Sequence, residues 1–490
     1  MELLSPAGNI EKLYYAYAYG ADAAYIGLKK FSLRIKADNF YEDEYKKIIE
    51  LKKKFPGKKL HCALNIAFHN SEVDSFIKEI PYFKQYPIDA FIVQDLGIVP
   101  ILQKNFPDAA LHLSTQASCM NREAVKMYKS LGFKRVVMGR EASLAEIKEI
   151  KDAVPDMEIE CFVHGAMCIA YSGRCLMSAY LNGRSAQSGF CSHTCRWDYD
   201  VLVNRDEIPE SKTPPTERPS YSEDVKKIAQ SGALVLREQK RPNEYFPVYE
   251  GDNFTAVLSS KDICMIDHLT DLKKAGVDSL KIEGRMKSVY YVAQITRAYR
   301  KALDVLDGKI SQKEAEPFVK ELYEVSHREF ATGFYYNKED ADVTVSGASE
   351  TSYDLAATVG KKLSAEEVDS IIKAGEKTSS TKENYYNSMC KEAKEAFDKA
   401  RSSHPDKNLS SVKAKDGWCM FEVTALNMIN EQSSLELVTP DISSLKMSRE
   451  DYELVNSETG EVYNWVCDGH PCVIYTKLPV IEGALLRAKN

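Results

Sequence analysis

Four cysteines, Cys168, Cys175, Cys191 and Cys195, lie within 28 residues of one another in the segment CFVHGAMCIAYSGRCLMSAYLNGRSAQSGFCSHTCRW, residues 161–197. Six, fifteen and three residues separate them. Four thiolates satisfy either a four-iron four-sulfur (4Fe-4S) cluster or a tetrahedral zinc ion. The spacing is looser than the two-residue pairs of zinc ribbons, as though two loops closed over one centre. Four thiols without a ligand would leave this density unexplained. Arg174 and Arg196 adjoin cysteines of the set and are placed either to offset the negative charge of a cluster or to bind an anionic substrate beside it. The chain holds 12 cysteines in all. The other eight lack partner spacing, and Cys161 and Cys264 read as packing thiols in apolar surroundings.

Polar residues at the ends of short apolar runs form a second set: Asn65, His69, Gln94, Asp95, Gln116, Arg140, Glu141, His164, Lys281, Glu283 and Arg285. Arg140, Lys281 and Arg285 suit carboxylate or phosphate recognition. Asn65, Gln94 and Gln116 are further candidates for substrate contact. Glu141, His164 and Glu283 are candidate proton carriers. His164 equally reads as a satisfied core histidine or a neighbour of the metal centre. In KIEGRMKS, residues 281–288, strand alternation points Lys281, Glu283 and Arg285 to one face, which is costly unless they are paired or bound to ligand. The chain contains no GxSxG elbow, HExxH site, P-loop or dinucleotide fingerprint.

These residues need a scaffold that brings strand ends together. Seven β-rich runs precede helical patterns: residues 2–8, 23–28, 59–69, 90–97, 110–118, 134–141 and 158–165. An eighth, SLKIEGR at 279–285, follows after a long gap. Repeated strand–helix units imply parallel pairing with right-handed crossovers. Eight of them predict an α/β fold, a closed (β/α)8 TIM-like barrel, over an open doubly wound sheet, whose first turn would be glycine-rich. The barrel is expected over 1–310, interrupted after strand seven by a Cys-rich excursion at 165–275 that includes an exposed loop at 204–235. A helical and linker region is expected over 311–412, with polar turns at 337–360. Period-two alternation predicts a small C-terminal β-barrel or sandwich over 413–490, with a hairpin turn at ETG.

The chain has 490 residues, 44% hydrophobic and 28% charged, with 65 basic and 72 acidic residues for a net charge of −7. No whole-protein positive field exists, so a nucleic-acid partner must be held by a local patch. No apolar run approaches a membrane-spanning length, and Met1 leads directly into a strand, so a cytoplasmic location without a membrane span is expected.

The stretch MELLSPAGNIEKLYYAYAYGADAAYIGLKKFSLRIKADNF resembles the N-terminus of the collagenase-like U-32 peptidase family. HGAMCIAYSGRCLMSAYLNGR resembles its signature around the first two cysteines, and KIEGRMKSVYYVAQITRAYRKALD its last barrel segment. The resemblance covers about residues 1–335 apart from 204–235, while 340–410 departs from it. GFCSHTCRWDY, KRPNEYFPVYE, SSKDICMIDHL and AGVDSLKIEGRMKS are most similar to the branch of prephenate-dependent tRNA uridine hydroxylases. That branch implies formation of 5-hydroxyuridine at the wobble position, a 4Fe-4S cluster on Cys168, Cys175, Cys191 and Cys195, prephenate as co-substrate and the tRNA anticodon loop as partner. Chemistry of this kind also needs an electron donor. In the loop, unstacked bases are open to stacking by Tyr171, Tyr180 or Trp197. The alternatives within the family are a peptidase, which needs a nucleophile or hydrolytic zinc, and an rRNA or quinone hydroxylase.

Overall fold

The computed structural model describes residues 1–32, 39–168, 260–336, 351–388, 410–430 and 432–489, single residues 170, 172, 175 and 394, and four two-residue strands between 235 and 256. Seven strands occupy the first 166 residues: β1 (Glu2–Pro6), β2 (Ala23–Ile26), β3 (Lys59–Leu64), β4 (Ala90–Val93), β5 (Ala110–Leu113), β6 (Arg135–Val137) and β7 (Glu158–Ala166). Two short antiparallel pairs follow, β8 (Val235–Leu236) with β9 (Phe246–Pro247) and β10 (Tyr249–Glu250) with β11 (Thr255–Ala256). Then come β12 (Asp262–Cys264), β13 (Ser279–Ile282) and β14 (Phe330–Ala331).

Strands β1 to β7 pair in sequence and in parallel, and β13 pairs in parallel with both β1 and β7. The sheet therefore closes as the eight-stranded barrel expected from the alternation. Its strands are short apolar runs because each is covered on both faces; all four residues of β2 are buried. Four of the helices between and after these strands start at side-chain caps. Asn9, Asn121, Ser143 and Ser288 each accept the backbone N–H three residues on, which satisfies an orphan donor of the first turn. The helix Val289–Leu306 is tied to the barrel by a 2.7 Å hydrogen bond between the hydroxyls of Ser5 and Thr296. Its Tyr299 hydroxyl donates to the carbonyl of Val163 at 2.7 Å.

Strand β7 outruns its neighbours. Its far end pairs antiparallel with β12, which pairs in parallel with β14. Arg328 fastens this extension, donating to Asp262 Oδ1 through Nε at 3.0 Å, with both residues buried.

The barrel unit runs to Glu350, and the second compact unit spans Thr351–Asn490. The boundaries expected at 310 and 413 thus differ from those found. The helix Gln312–Leu322 falls in the barrel unit, and the second unit opens with β15 (Tyr353–Lys362), where polar turns were expected. Ala356 to Val359 are all buried, so this strand lacks the period-two signature of a half-exposed one. With β15 run β16 (Cys419–Ala425), β17 (Leu435–Val438), β18 (Leu445–Lys446), β19 (Tyr452–Asn456), β20 (Cys472–Thr476) and β21 (Leu485–Lys489). They form one antiparallel half-barrel sheet in the order β18-β17-β21-β15-β16-β20-β19. Val359, Phe421, Val423, Leu454, Ile474 and Leu486 belong to one apolar cluster of this unit. Met420, Val455, Val473 and Tyr475 form another with Ile371, from the helix Ala365–Ser388. The ETG turn is present, with Gly460 at φ +69°. No helix among the described residues is long and apolar enough to cross a membrane.

Candidate active site at the barrel mouth

The barrel interior is charged at its base. Glu160, from the third position of β7, accepts from Lys281 Nζ at 2.7 Å and from Arg135 Nη1 at 2.8 Å. Arg135, the first residue of β6, also donates to Glu2 at 2.6 Å and reaches Glu158 at 2.6 Å. Burial pushes the carboxyl of Glu160 up, but Lys281 and Arg135 outweigh it and hold it below its ordinary value. Burial likewise opposes Glu2, which Arg135 holds at about 2. His61 and His112 meet edge to face at 4.8 Å in the same interior. Burial lowers His61 to about 4 and His112 well below its ordinary range, so both rings are neutral. Lys281, which alternation offered as a ligand at the mouth, is thus committed to Glu160.

Two aromatic rings separate this base from the mouth. The ammonium of Lys281 lies 4.7 Å from the ring centre of Tyr25 and 5.5 Å from that of Phe162. Two guanidinium groups from the mouth pack on the same rings: Arg285 at 6.0 Å from Tyr25 and Arg140 at 4.1 Å from Phe162. Both arginines follow the ends of their strands, while Lys281 precedes its strand end, so the rings form a floor. The Tyr25 hydroxyl donates to the carbonyl of Ile282 at 3.0 Å and fixes the floor to β13.

On this floor Arg140 joins two groups. Its Nη2 lies 3.5 Å from Glu283 Oε2, and its Nη1 lies 4.0 Å from Cys168 Sγ. Its Nε is buried and has no hydrogen-bond partner among the described residues. Arg285 is seated by two glycines. A Cβ on Gly8 would lie 2.2 Å from the Arg285 carbonyl oxygen, and one on Gly27 would lie 2.2 Å from its Nη1. The glycines of SPAG and AAYIGL are therefore requirements of close approach at the mouth.

The loop between Cys168 and Cys175 is docked here through Ser172. Its N–H donates to Glu141 Oε1 at 2.8 Å, and the Arg140 N–H donates to its hydroxyl at 3.3 Å. The Ser118 hydroxyl donates to its carbonyl. Sequence reasoning did not find Ser118, Ser172, Tyr25 or Phe162. Only the glycine after Tyr25 and the position of Ser172 between two cysteines hinted at them.

The other expected site residues are dispersed. His164 is buried in an aromatic box of Tyr291, Tyr299 and Phe330, at ring distances of 6.0, 5.6 and 5.2 Å. Burial lowers it to about 3, so it is a neutral packed ring. Gln94 donates to the carbonyl of Asn65 at 2.8 Å, which ties the ends of β3 and β4 together. Gln116 lies half-buried in a single 3₁₀ turn after β5. Asp95 accepts the backbone N–H groups of Phe68 and Gly97, both at 2.8 Å. Arg174, Arg196, Cys191, Cys195, Tyr171, Tyr180 and Trp197 lie outside the described residues.

Cys168 is exposed and Cys175 half-buried, and both thiols are free. The Cys168 thiol, a soft donor with the Arg140 guanidinium beside its sulfur at the edge of the mouth, fits one ligand of a thiolate-ligated cluster. Among the described residues no group of three or more potential ligands gathers for a metal.

A closed parallel barrel with a charged C-terminal mouth defines an α/β-barrel protein of enzymatic type, since that face is where such barrels place their chemistry. The model of peptidase family U32 matches residues 8–344, and the chain belongs to that family and is an enzyme. It is similar to the tRNA hydroxylation protein P of Escherichia coli (strain K12), 39% identical over 338 residues, or 68% of this chain and 74% of that protein. The tRNA hydroxylation protein P1 of Bacillus subtilis (strain 168) is 36% identical over 73% of this chain and 76% of its own. The 23S rRNA 5-hydroxycytidine C2501 synthase of Escherichia coli (strain K12) is 31% identical over 74% of this chain and 48% of its own length.

Proposed function

We propose that the chain is a cytoplasmic tRNA hydroxylase that converts a wobble uridine to 5-hydroxyuridine, with prephenate as co-substrate and a 4Fe-4S cluster held by Cys168, Cys175, Cys191 and Cys195. The observation that carries this reading is Arg140, whose guanidinium links Cys168 to Glu283 on the floor of the mouth. The similarity to tRNA hydroxylation proteins supports RNA as the substrate.

In this reading Arg285 and the free edge of Arg140 hold the carboxylates of prephenate or a phosphate of the RNA. Lys281, paired with Glu160, packs beneath the floor and supports it without holding the substrate. The Glu283 carboxylate, beside Arg140 at the mouth, would serve as a proton acceptor for the bound substrate. When bound, the cluster supplies one-electron transfer at the edge of the mouth, served by an electron donor outside the chain. A base stacked in a duplex cannot enter a barrel, whereas an anticodon loop presents unstacked bases. With a net charge of −7, tRNA affinity depends on a local patch and weakens with salt.

Nucleoside mass spectrometry of tRNA tests the activity. A deletion strain should lose 5-hydroxyuridine-type nucleosides and regain them with the wild-type gene. An unchanged profile overturns the reading, and loss of an rRNA hydroxycytidine in its place moves the substrate. Peptide release from gelatin with an unchanged profile favours the peptidase. Anaerobic purification should give thiolate–iron absorbance near about 400 nm.

A further inference from the structure

We propose that Ser118, Glu141 and Ser172 form a latch that fixes the two described cysteines against the mouth, with Glu141 as its central positioning residue. The inference deepens the proposed function and rests on it only for the purpose the latch serves.

Ser172 lies three residues before Cys175 and four after Cys168, and it is buried. Its backbone and side chain are engaged by two separate barrel loops. From the loop after β6, Glu141 Oε1 accepts both its N–H at 2.8 Å and its hydroxyl at 3.3 Å. The Arg140 N–H donates to that hydroxyl at 3.3 Å. From the loop after β5, the Ser118 hydroxyl donates to its carbonyl. A carboxylate, a hydroxyl and a backbone N–H thus converge on one residue of the cysteine loop.

Three features show that the barrel is built around this contact. Ser118 holds a left-handed backbone at φ +50°, ψ +44°, without being glycine. Strain of this kind persists where the surroundings over-determine it. Gly139 leaves room for the carboxylate, since a Cβ there would lie 3.0 Å from Glu141 Oε2 and 2.5 Å from Met120 Sδ. That Oε2 is buried and has no hydrogen-bond partner among the described residues. A carboxylate half loaded in this way is retained for what its other oxygen holds. The consequence is a division of labour between adjacent residues: Arg140 addresses the sulfur of Cys168, and Glu141 addresses Ser172, four residues further on.

The test uses hydrogen exchange of the full-length protein at the Ser172 amide, followed in the peptide that contains it. Glu141→Ala should speed exchange about tenfold or more, while Glu141→Gln, which keeps an acceptor oxygen, should restore most of the protection. Ser118→Ala removes one contact without touching the carboxylate and should give a smaller increase, which keeps the proposal open to test if Glu141→Ala does not fold. Wild-type exchange in Glu141→Ala, or equal exchange in the Gln and Ala variants, overturns the latch. Iron content after anaerobic reconstitution is the second arm. Faster exchange with a lower iron-to-protein ratio supports positioning of the ligands, and faster exchange with unchanged iron overturns it. If the wild type takes up no iron, the cluster reading fails, and the latch is decided by the exchange data alone.

Discussion

The base and the mouth of the barrel are both built from charge, but they treat it differently. At the base, Glu160, Arg135, Lys281 and Glu2 engage one another at 2.6–2.8 Å. At the mouth, Arg140 stands 3.5 Å from Glu283 and 4.0 Å from Cys168, with its Nε buried and lacking a hydrogen-bond partner among the described residues. A buried ion whose bonds are made at short range stabilises a fold by not being broken. One held loosely between groups has capacity left for a ligand. The difference separates a self-satisfied ion cluster from one with capacity left for a ligand within a single barrel, although Lys281 and Arg285 are only four residues apart.

Breaking the base should have the largest effect. Glu160→Ala leaves Arg135 and Lys281 without their shared buried partner and should cost about 3–5 kcal/mol of unfolding free energy, read from denaturant midpoints. A loss below about 1 kcal/mol would mean that the base is no more committed than the mouth.

Acid should attack the same region. His61 is held at about 4 in the fold against an ordinary 6.5, so the unfolded chain binds more protons between those values. Stability is therefore full above about pH 6.5 and falls as pH drops towards 4, by about 3 kcal/mol for this ring. Glu2, held at about 2 against 4.5, extends the loss to lower pH. Denaturant titrations at several pH values measure the slope, and His61→Gln should make it shallower between pH 6.5 and 4, leaving the shares of His112 and His164.

At the mouth the expected loss is in activity. Under the proposed function, Arg140→Met should reduce the 5-hydroxyuridine content of tRNA in a complemented strain about 100-fold, comparable to losing one charged transition-state contact. Its melting temperature should stay near that of the wild type. A variant equally depleted in both would move Arg140 from the group with capacity left to the self-satisfied one.

How much of this contrast was legible in the sequence follows from the physics of each feature. The eight strands were, because buried parallel strands read as apolar runs between helical patterns. Strand-end polar residues were visible as a set, but their commitments were not. Lys281 and Glu283 share a strand face by alternation, yet Lys281 meets Glu160, a partner 121 residues away. Of the readings open to His164, base, cluster neighbour or packed core histidine, the structure shows the last, among Tyr291, Tyr299 and Phe330, which no local spacing brings near it. Strand β15 was hidden because Ala356 to Val359 are buried without alternation. Ser172 could be noticed only once the ends of β5 and β6 were known to meet it.

The two glycines that seat Arg285 sharpen the comparison at its finest scale, since they touch the same residue in different ways. A Cβ at position 8 would run into the Arg285 carbonyl at 2.2 Å, and a backbone embedded between β13 and its helix cannot step aside. Gly8→Ala should therefore cost about 1–3 kcal/mol of stability through overpacking. A Cβ at position 27 would meet the Nη1 of Arg285 at 2.2 Å and the side-chain oxygens of Ser32 and Asn39 at 2.7 and 2.8 Å. These are side-chain ends that can yield, so Gly27→Ala should cost about 1 kcal/mol or less while shifting the guanidinium off its place above Tyr25. The expected signature is a split, with Gly8→Ala lowering the denaturant midpoint and Gly27→Ala lowering product formation at a nearly unchanged midpoint. If Gly27→Ala unfolds as readily as Gly8→Ala, the Arg285 side chain is part of the fold's fixed frame, and Arg140 is left as the mouth's guanidinium for an anionic substrate.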